Sequence, residues 1–213
     1  MSSTDMHVHV HRDPPAVSGS RDRMGVVLLI VADIAFVLCL MFTYMYLRFL
    51  NVNGLWLPAE ITPAPSGPTW LIVAALFIGA VVYAWGARSL RGSRPAPFRI
   101  ASWVAVVAAV VALAVQVQQL YGFNFALQDD GRYFSAYSSS MVALAGANAF
   151  HIIMTTFIAI GIANRARAGR YEDPESWQPR IAAYWWSWVV VSAVLVGLMT
   201  TFLVATPFPP SMS

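Results

Sequence analysis

Five stretches of this chain are each long and apolar enough to cross a lipid bilayer. A membrane-spanning helix needs about 20 mostly apolar residues, and inside lipid its backbone polar groups must be satisfied within the helix itself. The runs cover residues 24–47, 68–87, 100–123, 136–163 and 179–205. The predicted fold is therefore all-α, a polytopic bundle of five transmembrane helices in one membrane domain, residues 24–205. Composition agrees: 58% of the 213 residues are hydrophobic and only 11% are charged, against about 25% charged in a soluble domain. Residues 1–23 read as a polar, mobile tail without the apolar core of a secretory signal peptide, so the first span itself acts as the insertion signal. Residues 206–213 form a short C-terminal tail that its prolines bar from helix.

Arginine distribution predicts the orientation. All 13 basic residues are Arg. Arg12, Arg21 and Arg23 precede the first span. Arg88, Arg91, Arg94 and Arg99 fall around the second connection, and Arg165, Arg167, Arg170 and Arg180 around the fourth. The first and third connections hold only Arg48 and Arg132. By the positive-inside rule the N-terminus is cytoplasmic and the C-terminus outside. The net charge of +3 does not indicate nucleic acid, because the arginines sit in short loops between apolar runs. Aromatic residues near the span ends, including Trp56, Trp70, Tyr121, Tyr133, Trp177 and Trp185, read as an interfacial belt.

One acid interrupts the first run. Asp33 lies within "VADIAFVLCLMF", where a charged side chain costs roughly 2.5–3.5 kcal/mol on insertion scales. Other polar residues sit in later spans: Gln116 and Gln119 three apart in the third, Asn148 and His151 three apart in the fourth. Residues at that spacing share a helix face. Asp33, Gln116, Gln119, Asn148 and His151 are thus expected to converge inside the bundle. They read either as interhelical hydrogen bonds alone or as a short proton-accessible or lipid-headgroup site. Gly146 with Ala143, Ala147 and Ala149 reads as a small-residue packing face, and Trp185, Trp186 and Trp188 as interface anchors.

No metal or catalytic constellation is evident. One His and one Cys, His151 and Cys39, lie in spans, too few for a haem or copper site of this chain's own. His7, His9 and His11 alternate in the N-terminal tail. In an extended chain they would share a face, which leaves a solvated tail or a weak divalent-metal site as readings.

In order and spacing these residues resemble subunit III of the haem–copper oxidases, in a short five-helix form, over about residues 24–204. The family's first motif, Ser-Glu then Phe, a Tyr-rich end, Arg and Trp-Pro, appears as Ala32-Asp33, Phe36, Tyr44, Tyr46, Arg48, Trp56 and Pro58. Gln-x-x-Glu appears as Gln116 to Gln119, with Tyr121 beyond. Gly-x-His-x-x-His-Val appears as Gly146, Asn148, His151 and Ile152. Tyr-Trp-His-Phe-Val-Asp appears as Trp185, Trp186, Ser187, Trp188, Val189 and Val190. Glu has become Asp33 and Gln119, His has become Asn148 and Ser187, and Asp has become Val190. The chain looks like a divergent member in which most ionisable positions are neutral.

The resemblance implies a non-redox structural subunit of a respiratory oxidase that reduces oxygen to water and translocates protons. It implies subunit I and subunit II as partners, haem and copper in those partners, bound phospholipid, and a bacterial cytoplasmic membrane location. It carries over Asp33 and His151 as proton or lipid residues, and Arg48 and Trp56 as contacts to lipid or the outer loop. The alternatives are a subunit III-like protein of nitric oxide reductase, an assembly factor, and an independent carrier that uses Asp33.

Overall fold

The computed structural model describes residues 15–52, 54–126, 133–171 and 176–205. It contains five long helices: α1 (Pro15–Leu50), α2 (Ser66–Ser89), α3 (Pro95–Tyr121), α4 (Ala136–Arg167) and α5 (Gln178–Phe202), with a short 3-10 turn, Leu90–Gly92, after α2. All five are long and apolar enough to cross a membrane, and the chain is a multi-pass membrane protein. Helix boundaries follow local chemistry. Proline, which needs no backbone N–H partner in a first turn, opens α3 at Pro95 and sits at Pro179 in the first turn of α5. At α4, Ser135 and Ser138 form a reciprocal capping box: each side-chain oxygen accepts from the other's backbone N–H. These bonds satisfy backbone donors that every helix start leaves open.

The chain runs up and down. Tyr83 near the end of α2 stacks on Trp186 of α5, meets Phe98 at the start of α3, and donates to the Pro179 carbonyl. Phe98 in turn meets Tyr171, just after α4. At this end Trp177 donates to Asp22 Oδ2 near the start of α1, at 2.8 Å. At the opposite end, Tyr44, Trp56 and Tyr137 pack edge to face. α2, α3, α4 and α5 form a ring in which each touches its neighbours, and α1 lies against α4 and α5. Of the described arginines, ten lie at the first end and only Arg48 at the other. Arg12, Arg132, the histidines of the N-terminal tail and residues 206–213 lie outside the described residues.

Three expectations change. α1 begins at Pro15, so 15–23 is helix rather than tail. It is held by Trp177, whose ring lies so close to Gly19 that a Cβ there would meet ring carbon at 3.0 Å. α5 stops at Phe202, where the chain turns under the aromatic cluster. Gly146 is exposed, and a Cβ added to it meets nothing within 4 Å. The glycines that permit close approach are Gly79 and Gly86, both on α2, where an added Cβ would come to 2.8 Å from the Trp186 ring and to 2.4 Å from the Ala101 side chain.

Those distances set a contrast. Gly86→Ala must push α2 from α3, an overpacking that costs about 1–3 kcal/mol. Gly146→Ala gains helix propensity without a clash, so it should be neutral or stabilising by up to about 1 kcal/mol. Thermal unfolding of the two variants in detergent measures this, and equal midpoints would contradict the packing described.

Candidate functional site

α1 faces the ring along one stripe: Val26, Ile30, Asp33, Val37, Leu40, Tyr44 and Arg48, spaced alternately by four and three with a final step of four. That spacing keeps one helix face toward its neighbours. Only 6% of the most apolar window of α1 is buried within the chain, against 50% for α5. Phe36, Leu38 and Phe42 point outward. α1 is therefore joined to the ring by few contacts, and Asp33 sits mid-stripe.

Asp33 accepts two hydrogen bonds from two different helices. Its Oδ1 lies 3.0 Å from Nε2 of His151 on α4. Its Oδ2 accepts from the indole Nε1–H of Trp188 on α5 at 2.5 Å. These partners stand 118 and 155 residues away in sequence. His151 is 1% exposed and Asp33 13%. Asp33 is ten residues of helix beyond Arg23, about 15 Å along the axis, near the middle of a hydrocarbon core about 30 Å thick.

The histidine is itself framed. Its ring meets Trp185 edge-on at 6.0 Å, and Trp185 Nε1 donates to Thr155 Oγ1 at 3.1 Å. The Thr155 hydroxyl donates to the His151 backbone carbonyl at 2.7 Å. Nδ1 of His151 is buried and has no hydrogen-bond partner among the described residues. The tautomer that carries its proton on Nε2 donates to Asp33 and leaves only an acceptor unpaired, which is the less costly arrangement. The cluster sets one carboxyl group within hydrogen-bonding reach of an imidazole and an indole, between three helices.

The amides form a separate chain. Asn148 Nδ2 donates to Gln116 Oε1 at 2.6 Å, Gln116 Nε2 to Gln119 Oε1 at 3.1 Å, and Gln119 Nε2 to Thr69 Oγ1 at 2.8 Å. This neutral series joins α4, α3 and α2 inside the ring. It borders a cavity of about 20 Å³ that also touches Thr200, room for a single water molecule. No hydrogen bond among the described residues links this chain to Asp33. The five polar residues expected to converge thus form two clusters on different faces of α4, one turn apart.

The tryptophans and Arg48 occupy unexpected places. Trp185 and Trp186 are buried, and Trp186 Nε1 donates to the Leu76 carbonyl at 3.1 Å. All three indoles of α5 donate within the protein, toward α4, α2 and α1 in turn, so they are interior joints rather than interface anchors. Trp56 is also buried, and donates to the Val204 carbonyl at 2.7 Å. Arg48 Nε donates to the Ala205 carbonyl at 2.8 Å, and the Tyr44 hydroxyl to the Leu203 carbonyl at 3.3 Å. Three side chains thus satisfy the carbonyls of Leu203, Val204 and Ala205, in the segment that follows α5. Thr69, Thr155 and Asp22 carry no spacing signal in the sequence, and Trp177, read there as part of the interfacial belt, instead joins Asp22. No described group of three or more His, Cys, Asp or Glu side chains is arranged to hold a metal ion.

No protein-family model matches the chain, and no curated protein is similar to it in sequence.

Two measurements follow from this geometry. In a double-mutant cycle on unfolding in detergent, Asp33→Ala and His151→Phe should couple by about 1 kcal/mol, within the range for hydrogen bonds between membrane helices; additive effects would contradict a direct bond. Trp56→Phe should speed amide hydrogen exchange around 199–205 without changing it in α3, because only the end of α5 loses an interaction.

Proposed function

We propose that this chain is a non-redox, subunit III-like component of a haem–copper terminal oxidase in a bacterial cytoplasmic membrane. Its N-terminus and arginine-rich end face the cytoplasm, as the positive-inside rule requires. The observation that carries the reading is the meeting of Asp33, His151 and Trp188. Each comes from a different motif of the resemblance, on a different helix, and each was placed there by sequence order alone. The contact of Asp33 with His151, from two of those motifs, supports the reading, and Trp188, where the family motif has Phe, adds a donor of this chain's own. Catalysis then belongs to partner chains that hold haem and copper, subunits I and II. This chain contributes the outward apolar face of α1, a buried acid and bound phospholipid.

The role of Asp33 in this reading is to keep a carboxylate at mid-depth beside an imidazole, where it steadies helix packing and supports proton uptake or lipid retention by the complex. The neutral chain Asn148–Gln116–Gln119–Thr69 holds the ring together and moves no charge.

The test is purification of the tagged full chain in mild detergent from its native membrane. Stoichiometric haem-containing partners, with oxygen consumption, support the reading. A complex that reduces nitric oxide instead would place the chain with the nitric oxide reductase variant, and association with immature complexes only would make it an assembly factor. A lone chain that transports a solute in liposomes would contradict it. Within the complex, Asp33→Asn should leave assembly intact while turnover decays sooner or less phospholipid is retained. Unchanged turnover and lipid content would remove any special role for the acid.

A further inference from the structure

The outer surface where α3 begins and α4 ends carries an open groove of about 600 Å³, lined by Arg99, Ile100, Trp103, Val104, Val107 and Arg167. No acidic side chain among the described residues lines it. Arg99 is in the second turn of α3, and Arg167 is the last residue of α4. The two cations therefore sit at the arginine-rich end of the molecule, on neighbouring antiparallel helices. Ile100, Val104 and Val107 form one stripe at helical spacing and are exposed, running about 10 Å deeper along α3. Trp103 is one turn below Arg99, is 40% exposed, and stands where indoles favour the boundary between headgroups and acyl chains.

We propose that this groove binds one anionic phospholipid, with its phosphate between Arg99 and Arg167 and an acyl chain along Ile100, Val104 and Val107 beside Trp103. Two guanidiniums match a phosphate by charge and by hydrogen-bond geometry. A free phosphate would leave the apolar wall beneath them without a purpose, whereas a lipid uses both parts. The groove is on α3 and α4, away from the Asp33 cluster on α1, α4 and α5. The inference rests on the membrane-spanning part of the proposed function and not on the oxidase assignment, so failure to recover haem-containing partners would leave it standing.

The test uses the delipidated full chain in detergent micelles, with spin-labelled phosphatidylglycerol and phosphatidylcholine as probes. Phosphatidylglycerol should bind about thirtyfold more tightly, the scale of two basic side chains near an anionic headgroup. R99Q/R167Q should reduce its affinity to that of phosphatidylcholine. R167Q alone, at an exposed site where folding is not at risk, should lose at least about threefold. R91Q/R94Q, which removes two charges from the same end outside the groove, should bind as the native chain does. Equal affinity for the two lipids would overturn the site. So would an R91Q/R94Q loss as large as that of R99Q/R167Q, which would reduce the effect to general surface charge. Displacement of bound lipid by millimolar inorganic phosphate would overturn it as well, since it would show a phosphate site that needs no acyl chain.

Discussion

The carboxylate of Asp33 is the point on which the attachment of the first helix turns. A charged or polar group at mid-bilayer is tolerated where its lone pairs meet donors. Here one oxygen takes His151 and the other takes Trp188. The cost of burying the acid is offset only while α1 remains against both α4 and α5. Lipid tails are as apolar as the leucines of α1, so hydrophobicity alone does not hold that helix to the ring. The polar cluster gives it a defined depth and rotation, and the Tyr44, Trp56 and Arg48 contacts to the end of α5 fix its other end.

The ring of α2 to α5 is held differently. Small residues let α2 approach α3 and Trp186 closely, aromatic rings close its arginine-rich end, and amide hydrogen bonds cross its interior. These interactions are neutral. The charged position is reserved for the seam between ring and α1, where most of the helix surface is open to lipid or to another chain.

Much of this was legible in the sequence because membrane constraints are strong. Five apolar runs gave five helices, and the alternation of arginine-rich and arginine-poor connections matches the two ends of the bundle. The expense of Asp33 marked it, and the polar residues at matched spacing supplied candidates for its partner. What spacing could not say is which face of α4 each residue takes. Asn148 and His151 are one turn apart, and that small rotation is enough to send one to α3 and the other to α1. The tryptophans of α5 were misread for a related reason. Their position near a span end fits an interfacial belt, but whether an indole points to lipid or inward depends on neighbours from distant segments. Gly146 and the start of α1 failed similarly, since a glycine's role and a helix's first turn are set by what packs on them, as Trp177 does on Gly19.

The most direct test of the central interaction is a dipolar-coupling measurement by solid-state NMR, on the chain in lipid bilayers with a labelled Asp33 carboxyl carbon and labelled His151 ring nitrogens. The geometry predicts a direct correlation between the Asp33 carboxyl and Nε2, with Nδ1 uncoupled, and its loss in Asp33→Ala. Absence of the correlation in the native chain would mean that α1 is not joined to the ring through this pair, and would contradict the account.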